Sequence, residues 1–208
     1  MKKLLIFLIF LKSGFVTNAQ IGVQVAFNRP FAEFGSVMKP TALVEITNAE
    51  FFDEGKFRII YGGNFSVYTP RLDTFRIYGT SLDYDQFFVH PGAQSFKPFV
   101  TLDLFFGGEF SPIEDGDWHP YIGADILAGF HYHNYEAHVE GISSIHEVTF
   151  GTAIGFRSKL GLEYNFQRKT ALFAQYTLGT RLSIQPRFWS PTWTVGLGVR
   201  HSFSKGKY

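Results

Sequence analysis

The chain has 208 residues, with 19 Lys and Arg against 18 Asp and Glu, no cysteine, and an aromatic content of 18% that includes 25 Phe. The near-neutral balance gives no electrostatic case for nucleic acid as a partner. The absence of Cys excludes a lipid-anchored N-terminal cysteine, a disulfide framework and any thiolate metal site. The length suits one domain, and no charge run, Pro/Ser-rich linker or low-complexity tract marks a boundary.

At the N-terminus, Met1-Lys2-Lys3 is positive, Leu4 to Leu11 is an eight-residue apolar run, and Val16-Thr17-Asn18-Ala19 ends on a small residue. That is the order of a secretory signal. The run is also shorter than the roughly 20 apolar residues a helix needs to cross a bilayer. Residues 1–19 are therefore expected to be cleaved and residues 20–208 to form the mature domain. Cleavage removes three Lys and no acid, leaving 16 basic against 18 acidic residues and a net charge of −2.

The mature chain alternates apolar and polar residues with a period of two, which is the signature of strands with two different environments on their faces. Eight strands are expected, at residues 20–28, 41–48, 56–69, 97–110, 120–133, 148–166, 171–184 and 192–203. Their apolar faces carry, in order, Ile21 to Phe27, Ala42 to Ile46, Phe57 to Val67, Val100 to Phe110, Ile122 to Tyr132, Val148 to Phe166, Leu172 to Ile184 and Trp193 to Phe203. The last strand is the clearest. Trp193, Val195, Leu197, Val199, His201 and Phe203 share one face; Thr194, Gly196, Gly198, Arg200 and Ser202 share the other. A soluble sandwich also alternates, but its apolar side faces a second sheet. The same apolar face in every long strand, an even strand count and abundant aromatics point to an all-β, eight-stranded, antiparallel up-and-down transmembrane barrel.

With the N-terminus inside, the outer loops are expected at residues 29–40, 70–96, 134–147 and 185–191. The inner turns are expected at 49–55, 111–119 and 167–170. Most outer connections exceed the inner ones, which is the asymmetry of outer-membrane barrels.

On the faces opposite the apolar stripes lie Glu45, Arg58, Asp103, Glu109, Asp125, Arg157, Lys159, Glu163, Arg181 and Arg200, five acids and five bases. An eight-stranded barrel is just wide enough for side chains to fill. Buried charges need partners, so this set is expected to form an interior ion-pair plug. A selectivity ring around a water channel is the alternative, and it needs a wider barrel.

Two other constellations suggest chemistry. His131, His133, Glu136, His138, Glu140, His146 and Glu147 cluster near the third outer loop and have metal-ligand chemistry. Their spacing is loose, so a hydrogen-bonded polar rim is preferred and no metal or other cofactor is expected. Lipid-modifying barrels use a hydroxyl nucleophile with His and a carboxylate at the outer leaflet. The one adjacent pair here, His201-Ser202, falls at the inner end of the last strand, and His90 lacks an evident serine and carboxylate. No enzyme is expected.

The second outer loop interleaves aromatics with charges, a composition that suits a protein interface. Arg71, Phe75, Tyr78, Tyr84, Phe87 and Phe88 are its candidate partner-binding residues. The competing reading is a lid over the mouth, or strands prolonged beyond the membrane.

The Lys-Lys start, the Asn-Ala-Gln cleavage end, Lys97-Pro98-Phe99-Val100 and His119-Pro120-Tyr121-Ile122-Gly123-Ala124-Asp125 resemble the small outer-membrane β-barrel proteins common in Bacteroidota. The resemblance implies an integral outer-membrane barrel of OmpA- and OmpX-like architecture, with no catalytic residues to carry over. It also implies that accessory roles in secretion or gliding machinery are open to such a protein. The expected function is therefore a structural or partner-binding component of an envelope assembly. Its expected partners are outer-membrane lipid and another envelope protein. A narrow pore is the alternative, and an outer-leaflet lipid enzyme ranks third.

Overall fold

The computed structural model describes residues 19–203 except 53–55, 73, 84–85, 114–115, 142–143, 168 and 185–187. The expected signal therefore lies outside the described residues up to position 18. The elements run β1 (Ala19–Pro30), α1 (Ala32–Val37), β2 (Thr41–Phe52), β3 (Phe57–Tyr68), β4 (Thr74–Asp83), β5 (Gln86–Phe96), β6 (Phe99–Phe110), β7 (Trp118–Val139), β8 (Ile145–Gln167), β9 (Thr170–Ser183) and β10 (Phe188–Ser202).

Eight of these strands form a ring in the order β1-β2-β3-β6-β7-β8-β9-β10, each antiparallel to its neighbours. Strand β1 closes the ring on β10, from Gln20 opposite Ser202 to Pro30 opposite Thr192. Closure is what lets strands cross a bilayer, because lipid offers no partner for an unpaired N–H or C=O and a ring has no edge.

The pleat sends alternate residues outward. Val23 and Val25 of β1, Leu102 and Leu104 of β6, Ile122 and Ile126 of β7 and Leu197 of β10 all lie on the outer surface, Leu197 with 70% of its area exposed. A continuous apolar belt of this extent is a liability in water and the required solvent-facing surface in hydrocarbon. Aromatics flank it at both ends. Trp118 packs on Tyr164 at the end that carries β1's start, while Phe27 packs on Trp193 and Tyr132 on Phe150 at the opposite end. Trp189 lies exposed at that same opposite end. We call the two ends the termini end and the loop end.

Two segments expected as loops are strands. Residues 70–96 hold the hairpin β4–β5, paired from Thr74 opposite Ser95 to Asp83 opposite Gln86. Residues 134–147 are mostly the outer ends of β7 and β8, paired as far as Ala137 opposite Ile145. Beyond Tyr132, the last residue of β7 to pair with β6, the place of β6 is taken by β5, from Phe96 opposite Tyr135 to Gly92 opposite Val139. A four-stranded sheet, β8-β7-β5-β4, thus continues past the apolar belt. Outside lipid a strand needs no uniformly apolar face, so the alternation that revealed the other eight is missing here. The segment at 29–40 differs too, since it contains the helix α1.

Candidate functional site

The barrel interior gathers all ten charged residues, each at most 7% exposed. Arg157 is one hub: it donates to Glu45 at 2.5 Å and forks onto both oxygens of Asp125 at 2.7 and 3.1 Å. Lys159 contacts the same Asp125 at 2.6 Å and approaches Glu109 at 3.9 Å. Glu109 and Glu163 are the second centre. Arg58 reaches them at 2.6 and 2.8 Å, and Arg200 at 3.1 and 2.7 Å. Arg181 meets Asp103 at 2.6 Å, nearer the loop end. Asn64 joins the two levels when its amide is oriented to satisfy both sides: it then donates to Asp103 at 3.1 Å and accepts from Arg157 at 3.3 Å. Each acid faces at least one base, so the desolvation of ten charges is offset by pairing within the set.

Aromatic rings fill the gaps between these charges. The Arg157 guanidinium lies 4.3 Å from the Phe105 ring centre, and Lys159 lies 4.9 Å from the same ring. Arg58 and Arg200 lie 4.8 and 5.1 Å from the Tyr121 ring centre, and Arg200 also lies 4.4 Å from that of Phe173. The Tyr121 hydroxyl donates to Gln175 at 3.0 Å. Cations over ring faces in a water-poor space are stabilised beyond the ion pairs alone. Ile60, Phe105, Leu127 and Ala49 form an apolar cluster within the same lumen. The interior aromatics were not among the sequence candidates. Their signal was an aromatic on the polar face of a strand, as at Phe105 between Leu104 and Phe106.

The loop end of the lumen is capped. Helix α1 inserts Phe34 edge-on against Tyr68 and Phe99, with ring centres 5.1 and 5.6 Å away, and Met38 completes the buried cluster. The segment is tied down from both sides. Phe31 N–H donates to Pro191 O at 3.1 Å, Arg71 N–H to Val37 O at 2.8 Å, and Arg71 Nε to Gly35 O at 2.7 Å. Gly35 has no alternative here, because a Cβ would stand 2.6 Å from the Pro30 carbonyl oxygen. Beneath the cap His131 stacks on Phe99 at 5.3 Å and shares a 3.3 Å contact with Ser183 Oγ.

The partner-binding candidates divide. Arg71 serves the cap; Phe75, Tyr78, Phe87 and Phe88 take strand positions in β4 and β5; Tyr84 lies outside the described residues. The histidines also separate. His131 is inside the barrel, whereas His138 pairs with Ser144 at 2.7 Å and His146 with Glu136 at 3.3 Å on the exposed extension. Among the described residues no three His, Asp or Glu side chains converge as metal ligands would. His201 is exposed and contacts Thr170, while Ser202 is buried in the lumen, so this pair stands on opposite faces of β10 and cannot act as base and nucleophile.

No family model and no curated protein matches the chain. Among solved structures it is similar to Neisserial surface protein A, with 13% identity, a TM-score of 0.57, and coverage of 89% of this chain and 97% of that one. It is also similar to Ail, the attachment invasion locus protein of Yersinia pestis, solved in complex with the heparin analogue sucrose octasulfate. That match has 15% identity, a TM-score of 0.48, and coverage of 88% and 97%. The likeness to the Neisserial protein is one of fold. The chain is a closed, eight-stranded, antiparallel β-barrel of the outer-membrane type. The apolar belt and its aromatic flanks fit that fold to its place, the outer membrane.

Proposed function

We propose that this barrel is a non-conducting, non-enzymatic component of an envelope assembly, which it joins through the sheet that continues past its loop-end rim. By the loop asymmetry of such barrels the termini end faces the periplasm and the loop end the exterior. The observation that carries the reading is the contrast between the two halves of the molecule. The lumen is packed with paired charges and rings. The extension β8-β7-β5-β4 projects seven residues of β7 past the barrel wall, roughly 23 Å of strand. Nothing in membrane embedding requires that projection, and projecting segments on a rigid scaffold are where recognition resides.

The test removes the hairpin. Deleting residues 73–94 and closing the gap with a short Gly-containing turn leaves every lipid-facing stripe intact, so a heat-modifiable, protease-resistant barrel is expected. Crosslinking in native outer membrane is expected to join wild type, and not the deletion, to a defined envelope protein. A crosslink that survives the deletion overturns the assignment to this sheet. Large, steady conductance of the wild type in planar bilayers overturns the sealed lumen and favours a narrow pore.

A further inference from the structure

Between the Phe34 cap and the central ion pairs lies a cavity of about 30 Å³, lined by Asn28, Ser66, Tyr68, Thr101, Asp103 and Arg181 among others. That is room for roughly two waters. Its wall is unusually rich in uncommitted polar atoms. Asn28 spends its amide N–H groups on Tyr68 at 2.6 Å and Ser66 at 3.4 Å, yet its Oδ1 has no hydrogen-bond partner among the described residues. Arg181 Nε likewise has none, and Arg181 Nη2 sits close to Asp103 Oδ1 but out of line for a hydrogen bond. Asn28, Asp103 and Arg181 are all at most 7% exposed. Buried polar atoms left this way are costly unless something small pairs with them.

We propose that this space is a lidded binding chamber for a small, uncharged molecule carrying both hydrogen-bond donors and acceptors, and that the segment from Phe31 to Met38 is its lid. The chemistry of the wall selects the guest. Acceptors (Asn28 Oδ1, Asp103) and donors (Arg181, the hydroxyls of Thr101 and Tyr68) are both present, so a guest must offer both kinds of group. The charges that line it already have partners, Arg181 with Asp103 and Arg157 with Glu45 and Asp125, so a charged guest would bring an uncompensated charge into a buried space.

The lid is built to lift. Only Phe34 and Met38 of the segment are buried, and Phe31, Glu33, Ser36 and Val37 face outward. Ala32, at the start of α1, has φ +52, a left-handed conformation that a residue with a Cβ adopts only at a cost. On the far side one side-chain hydrogen bond, from Arg71 to Gly35, adds to two backbone bonds, Arg71 N–H to Val37 O and Lys39 N–H to Thr69 O. Raising Phe34 would uncover Tyr68 and, below it, the polar wall.

The absence of native cysteine gives a clean assay. Thr101→Cys and, in a second variant, Thr194→Cys place a thiol in the chamber wall. Ser36→Cys on the exposed lid normalises reagent reactivity. The probes are neutral methyl methanethiosulfonate, its cationic trimethylammonium-ethyl analogue and its anionic sulfonatoethyl analogue, applied to barrels reconstituted in vesicles and checked for heat-modifiability. Relative to Ser36→Cys, the neutral probe is expected to react with chamber thiols at least about tenfold faster than either charged probe. Adding Arg71→Ala, which removes one lid hydrogen bond, is expected to speed the neutral reaction by about tenfold. Charged and neutral probes reacting at equal normalised rates would overturn the guest assignment. A neutral rate unchanged by Arg71→Ala would overturn the lid. The assay stands apart from partner binding, since it reads the lumen and not the β4–β5 sheet.

Discussion

Arg157 donates to Glu45 at 2.5 Å across the lumen, although 112 residues separate them in sequence. The contact joins β8 to β2, strands that are not neighbours in the ring, so it braces the wall from inside as well as neutralising charge. The other long-range pairs do the same. Arg58 to Glu163 spans 105 residues and Arg200 to Glu109 spans 91.

The pairing of Arg181 with Asp103 makes a charge reversal informative. Arg181→Glu would set two carboxylates side by side in a buried space, and it is expected to destabilise the barrel by about 3–5 kcal/mol. The compensating Asp103→Lys restores opposite signs and is expected to recover a large part of the loss. Urea titrations of folded barrels in micelles or vesicles check both numbers. A double variant no better than the single one would show that the pair's charge is not what matters.

Position 129 tests the fit of that pair. Gly129 lies opposite Asp103 on β6, and a Cβ there would collide with Asp103 Oδ1 and press on Arg181 Nη2 at 3.0 Å. Gly129→Ala is expected to cost about 1–3 kcal/mol through overpacking. Gly63→Ala, whose Cβ would meet no atom closer than 3.3 Å, is expected to be the milder change in the same titration.

Lipid exposure gives a third expectation. Ile126 is 63% exposed in the middle of the belt. Ile126→Arg is expected to cost about 2–4 kcal/mol, while Thr101→Ser inside the lumen is expected to change little. Equal effects on folding into vesicles would contradict the assigned faces.

Tyr121 separates two contributions within the lumen. Tyr121→Phe keeps the ring beside Arg58 and Arg200 and loses only the hydrogen bond to Gln175, an expected cost of about 0.5–1.5 kcal/mol. Tyr121→Leu also removes the ring face from both guanidinium groups and is expected to cost more in the same denaturation assay. If the two variants unfold alike, the rings only fill space.

The barrel was legible in sequence because two contrasting environments, lipid and lumen, write a period of two into every membrane strand. Leu102, Leu104 and Phe106 against Thr101, Asp103 and Phe105 is such a stretch. The same rule located the ten buried charges, since a charge has nowhere to go on a lipid-facing position. It did not say which charge meets which. Those contacts depend on how strands stagger around the ring, and a stretch such as Gly155-Phe156-Arg157-Ser158-Lys159 reads the same whichever acid lies across from it. The cap was invisible for a different reason. Helix α1 is six residues long, has no side-chain cap hydrogen bond, and is held by groups from Arg71 and Pro191, far along the chain. The hairpin β4–β5 was legible only as the competing reading of prolonged strands, because residues 70–96 lack the uniform apolar alternation that lipid imposes on a membrane strand.

The placement of the three tryptophans makes the barrel its own optical gauge of insertion. Trp118 marks the termini-end rim, and Trp189 and Trp193 mark the loop-end rim, with no indole in the stretch between. Emission from a Trp118-only variant and from a Trp193-only variant would therefore time the arrival of opposite rims at their interfaces. Quenchers placed at known acyl-chain depths would read whether the loop end traverses the bilayer before the wall has closed.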